Sequence, residues 1–203
     1  MTLKPTNAIR VGNHPWDVAF GFGAVWASNQ GDGTVSRIDP KKRRVVKKIA
    51  TGGSPTCIRP GAGAIWVGSQ GTDDVYRIDP VTNKVTTVHI GKGSEICVAP
   101  EAIGIWVVNN LDNSVSRLDP STYAVIATTK VGSKPTDAVV GADGMLWVAN
   151  NGDGTVSRID PATNAVVDTV TTGGGPFVIR AGFGDVWTAD FKGRKLFRLH
   201  SSP

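Results

Sequence analysis

Three histidines, His14, His89 and His200, are the imidazoles of this 203-residue sequence, and imidazole is the side chain that most readily moves protons or binds metal near neutral pH. They fall at unrelated places and form no pair at ligand spacing, so no metal centre and no resident cofactor is expected. Cys57 and Cys97 are too few for a disulfide framework. A bond between them needs Cα atoms within about 7 Å, and two free thiols are the expected state. "NGDGT" from Asn151 has the flavour of a calcium loop but lacks a closing bidentate glutamate, and it reads as a tight hairpin turn. Arg37 and Asp39 stand two apart on one side of a strand, and their pairing recurs along the chain. The expected product is a charge-assisted hydrogen bond that pins the following turn.

One constellation remains, and it is aromatic and cationic. His14 and Trp16 lie near the start, while Phe177 and "DFKGRK", with Asp190, Phe191, Lys192 and Arg194, lie near the end. An exposed Trp and Phe beside His, Lys and Arg suit a shallow pocket for a small polar or anionic ligand, the rings stacking on flat groups while the cations anchor charge. Lys92, Glu95, Asn110, Asp112 and Asn151 are secondary candidates. No catalytic residue is assigned. The two halves of this pocket stand some 160 positions apart, so a fold must bring the chain's ends together.

A repeat supplies that fold. Trp26, Trp66, Trp106, Trp147 and Trp187 are spaced by 40, 40, 41 and 40 positions, and "RIDP" at Arg37, Arg77 and Arg158, with "RLDP" at Arg117 and "RLHS" at Arg198, keeps the same beat. Turn residues cut each unit into four strands. In the second unit these are "TCIRP", "AIWVGS", "DVYRID" and "KVTTVHI", separated by "GAG", "QGTD" and "PVTN". Four antiparallel strands recurring at about 40 residues are the mark of propeller blades. The expectation is an all-β, five-bladed β-propeller in one domain, with blades at 12–51, 52–90, 91–131, 132–172 and 173–203 plus 1–11. A lone strand at Asn7–Val11 is expected to pair beside Lys195–Leu199, completing the last blade and sealing a monomeric disc. The D–A and B–C loops then share one end of the ring, where His14, Trp16, Phe177 and the "DFKGRK" loop become neighbours.

Charge excludes more than it suggests. The net charge is +5, but Lys41, Lys42, Arg43, Arg44, Lys47 and Lys48 form a single run, without which the balance is 16 − 17 = −1. Valines, not aromatics, interrupt that run, so nucleic acid is not the expected partner. A charged outer strand that discourages edge pairing is the better account. No apolar stretch approaches membrane-spanning length, and "MTLKPTNAIR" has no secretory h-region.

These units, with their aromatic second strand and "RI" third strand, resemble the YVTN-type repeats of surface propellers and the streptogramin (virginiamycin B) lyase group. The resemblance implies an extracytoplasmic location and, from the lyases, a metal-assisted elimination using histidine and glutamate at the channel mouth. In that group a histidine follows the first-strand proline; here those positions hold Trp16, Thr56, Ile96, Thr136 and Phe177. The column expected to carry glutamate holds Asn29, Ser69, Asn109, Asn150 and Asp190. The groups that would hold metal and carry protons are missing. The expected function is therefore non-enzymatic recognition of a protein, glycan or small polar ligand, and a lyase-like enzyme with a rearranged site is the alternative.

Overall fold

The computed structural model describes residues 8–92 and 95–200, with the side chains of 95 and 96 excepted. It contains 19 described strands in antiparallel hairpin order. The first unit is β1 (Pro15–Gly21), β2 (Ala24–Asn29), β3 (Thr34–Asp39) and β4 (Arg44–Ala50). The second is β5 (Pro55–Gly61), β6 (Ala64–Ser69), β7 (Asp74–Ile78) and β8 (Val85–His89). The third is β9 (Glu95–Glu101), β10 (Gly104–Asn109), β11 (Ser114–Leu118) and β12 (Val125–Lys130), and the fourth is β13 (Pro135–Val140), β14 (Leu146–Asn150), β15 (Thr155–Asp160) and β16 (Ala165–Thr171). The fifth has three described strands, β17 (Pro176–Gly182), β18 (Asp185–Asp190) and β19 (Lys195–Leu199). Among the described residues one ladder pair, Ser69 with Glu95, joins the sheets of the second and third units.

The repeated tryptophan explains the stacking. Trp26, Trp66, Trp106 and Trp147 are 0–3% exposed and fill the junctions between successive units. At the first junction Ala19, Trp26, Val35 and Ile49 of unit one meet Ile58, Ile65, Val67, Tyr76 and Ile78 of unit two. The guanidinium directly opposite on the next strand lies over the ring: Arg37 sits 5.1 Å from the Trp26 centroid and Arg117 5.1 Å from that of Trp106. This corrects the expected Arg37–Asp39 bond. Asp39 turns away to accept the Lys41 and Lys42 amides at 2.9 and 3.0 Å, and Asp79 and Asp119 do the same in their turns. Arg37 instead crosses the junction to Asn83 at 2.9 Å. A carboxylate next to unpaired turn amides is better satisfied by them than by an arginine already stacked on an indole.

The expected latch is a second correction. Asn7 lies outside the described residues, and Ala8–Val11 form no strand. Gly12 and Asn13 donate their amides to Asn29 Oδ1 and Asp32 Oδ2 at 3.0 and 3.2 Å, which ties this lead-in to the loop of unit one. Among the described residues β19 pairs with β18 alone, so hydrogen bonding does not close the ring between units five and one.

Candidate functional site

The five inner strands β1, β5, β9, β13 and β17 each start at or just after the position of a proline or its equivalent, and in all five the ladder shifts register there: between Pro15 and Val18, Pro55 and Ile58, Glu95 and Cys97, Pro135 and Asp137, and Pro176 and Val178. Proline lacks the amide that a ladder needs, and a bulge turns the side chain beside it out of the regular alternation. The side chains released this way line one central cavity of about 290 Å³, walled by Trp16, Asp17, Cys57, Arg59, Cys97, Thr136, Asp137, Phe177, Val178 and Arg180.

Charge in this cavity is organised across units. Asp17 accepts from Ile58 N at 3.1 Å and from Arg59 Nη1 at 2.5 Å. Asp137 repeats the arrangement three units later, accepting from Ile179 N at 3.2 Å and from Arg180. Each carboxylate thus straps its own unit to the backbone and arginine of the next. Arg59 does more, since its Nη2 lies 3.7 Å from Asp137 Oδ1 and spans the channel. Two aspartates and two arginines balance, so the wall presents paired charges with no net sign.

Cys57 and Cys97 occupy the same column as Asp17 and Asp137, and they form a disulfide with Cα atoms 5.0 Å apart. The expected free thiols are corrected: adjacent inner strands bring two residues 40 positions apart within bonding range. Cys97 Sγ also approaches Asp137 Oδ1 at 3.3 Å. The two sulfurs and the Asp137 carboxylate lie within 4.8 Å of one another, which is metal-ligand spacing. The sulfurs are consumed by their bond, however, and Asp137 is held by Arg180, Ile179 N and Ala138 N.

Of the expected pocket residues, Trp16 and Phe177 both line the cavity. Phe191 stacks on Phe177 with centroids 5.9 Å apart and an interplanar angle of 41°, extending the aromatic surface outward. His14 is exposed, and its carbonyl accepts the Gln30 amide at 3.0 Å. Lys192 and Arg194 are exposed in the β18–β19 turn. Asp190 is buried, taking the Gly175 and Lys192 amides at 2.6 and 3.0 Å. Backbone bonds, that from Gly193 foremost, hold its carboxyl below the usual carboxylate range. Asn110 and Asn151 stitch neighbouring units by donating to Pro135 O and Gly175 O. Asp112 binds Ser114 and Lys130, Lys92 is half-buried ahead of β9, and Glu95 opens that strand. His89 and His200 sit away from the cavity, paired with Asp74 and Asp185 at 3.0 and 2.6 Å.

Sequence reasoning did not reach Arg59, Arg180 or the carboxylate roles of Asp17 and Asp137. The available signal was a column of Asp, Cys, Cys, Asp and Val, in which each aspartate is followed one unit later by an arginine shifted two residues along.

No protein-family model matches the chain, and no curated protein matches it in sequence. Among solved structures it superposes on a streptogramin B lyase with a TM-score of 0.83 at 18% identity, covering 93% of this chain and 66% of that one. Virginiamycin B lyase from Staphylococcus aureus gives 0.80 at 20% identity, covering 91% and 66%. The WD40 β-propeller domain of Doa1 gives 0.76 at 15%, covering 92% and 63%. The chain spans just under two thirds of these longer proteins. At such identities the likeness carries the architecture alone: this chain has a β-propeller fold of the kind seen in the streptogramin lyases.

Proposed function

We propose that the chain is a non-enzymatic binding propeller that takes a small polar ligand, sugar-like or anionic, at the loop-bearing mouth of its central cavity. The observation that carries this reading is the cavity wall itself. Trp16 and Phe177 give flat apolar surface, and beside them Asp17, Arg59, Asp137 and Arg180 offer donors and acceptors already fixed by cross-unit bonds. A volume of about 290 Å³ is at the small end of ligand sites. Preset polar groups orient a ligand at low ordering cost. A site outside the cytoplasm accords with the disulfide.

The competing reading is metal-dependent elimination, favoured by the fold shared with the lyases. Among the described residues the cavity wall contains neither histidine nor glutamate, so the proton carrier and ligand set of such a reaction are missing from it. Calorimetric titration of a panel of monosaccharides, uronic acids and small carboxylates tests the proposal. Binding by the parent protein and loss of at least tenfold in affinity in Trp16→Ala support it. Metal-stimulated opening of quinupristin, or a panel in which nothing binds below millimolar concentration, overturns it.

A further inference from the structure

Among the described residues four junctions bury the trailing face of one unit against the leading face of the next, and the leading face of unit one and the trailing face of unit five are uncovered. On unit five, Leu196 occupies the position of Val35, Val75, Val115 and Val156; those four are 0% exposed, and Leu196 is 66% exposed. Ala189 and Trp187 beside it also reach solvent. On unit one, Val18 is 50% exposed, although its counterparts Ile58, Val98, Ala138 and Ile179 are 0–6% exposed. Phe20 stands on the same side of β1 as Val18, at 71%, and Trp16 at the start of the strand is 51% exposed. Contiguous exposed apolar surface of this kind marks an association site on a stack of repeats.

We infer that these two faces form a junction between copies of this chain, the fifth unit of one packing on the first unit of the next. Their fit follows from the repeat: each is one half of a contact that the chain makes four times internally. The charges agree as well. At the junctions that carry an inner aspartate, Asp17 meets Arg59 and Asp137 meets Arg180. The other two place Cys57 before Ala99 and Cys97 before Val139, with neither charge. Setting unit five on unit one places Val178 before Ala19, again with neither, so no inner charge is stranded.

The rim is less favourable, and this gives the contact a signature. Arg37 and Arg117 reach Asn83 and Asn164 of the following unit, and Arg77 lies over Tyr123. Arg198 of unit five would instead face Arg43 of unit one, at the same turn position, beside the exposed lysine-rich run. Asp185 sits next to Arg198 on its own unit and offsets part of that repulsion. Association driven by apolar contact against like charge strengthens with ionic strength. The monomer expected from the sequence presupposes a sealed disc. A head-to-tail contact is heterologous, so it builds a larger ring or an open chain of copies.

Light scattering coupled to size exclusion tests this directly. The molecular mass is expected to rise from 21.3 kDa to at least twice that value between about 1 and 200 µM protein, and to rise further in about 0.5 M salt. Phe20→Glu spoils the leading face, and Leu196→Glu or Ala189→Glu spoils the trailing face; all three positions are exposed, and unchanged melting temperatures confirm folding. Each variant alone is expected to run as a monomer. A mixture of a leading-face and a trailing-face variant is expected to recover a species of twice the monomer mass and no larger, because one intact junction remains. A parent chain that stays at monomer mass throughout, variants that associate as the parent does, or a mixture that stays monomeric overturns the inference.

Discussion

Replacing Cys57 and Cys97 together by alanine removes a covalent tie between β5 and β9 and leaves two small apolar side chains where sulfur stood. The bond closes a segment with a sequence separation of 40. Loop-closure entropy assigns such a cross-link roughly 4 kcal/mol at 25 °C. For a domain of this size each kcal/mol moves the melting temperature by about 2–4 °C, so the double variant is expected to melt roughly 8–16 °C lower. The assay is thermal melting followed by circular dichroism, with and without a phosphine reductant. The parent should fall toward the variant when reduced, and the variant should ignore the reductant. A thiol titration of the unfolded, unreduced parent should find essentially no free sulfhydryl. Two titratable thiols, or a variant melting within about 2 °C of the parent, would refute the reasoning, since the junction between units two and three would then owe its cohesion to non-covalent contacts alone.

Other perturbations read out the remaining ties. Asp137→Ala leaves Arg180 and the Ile179 amide without their acceptor and should cost about 2–3 kcal/mol in urea unfolding; Asp137→Asn keeps an acceptor oxygen and should cost less, and equal costs would show that the neutral acceptor contributes nothing. Trp106→Ala, at a fully buried junction, should cost about 3–5 kcal/mol. Trp187→Ala, on the uncovered face of unit five, should cost less than half as much, and similar losses in denaturation would contradict the exposure argument. The Lys48 ammonium, followed by the Thr34 hydroxyl, lowers the Asp32 carboxyl to about 2. A depressed carboxylate adds stability that is present above its unfolded value near 4 and lost as pH falls toward 2. Lys48→Ala should flatten that acid limb of the melting-temperature profile, and an unchanged limb would show that Lys48 is not its source.

The repeat was legible because it is written five times in one-dimensional spacing. The tryptophan interval located the second strand of each unit, and "AIWVGS" and "KLFRL" correspond residue for residue to β6 and β19. Partnerships between units were harder to read, because they join residues 40 or more apart whose meeting depends on how units stack. Arg37 was assigned to its near neighbour Asp39, yet it stacks on Trp26 and crosses to Asn83. The cysteines shared a column with aspartates in the sequence, but only the approach of β5 to β9 makes them a bond. Trp16 and Phe177 were selected for being unlike their counterparts, and that criterion led to the rim of the cavity. It could not reveal Arg59, whose span from Asp17 to Asp137 is a property of the assembled wall.

The register shift after the inner-strand proline separates two demands that most sheet positions must meet together. A residue within a ladder is constrained by its cross-strand partners and by the layer it packs on. The residue freed by the bulge leaves the ladder and answers to the cavity and to the neighbouring unit, and here that place is filled by carboxylate, sulfur or an aliphatic group while the surrounding strands keep one pattern. Five such sites form an alphabet at the centre of the molecule, and its letters are spelled in pairs: a carboxylate calls for an arginine on the next unit, and a sulfur for a sulfur.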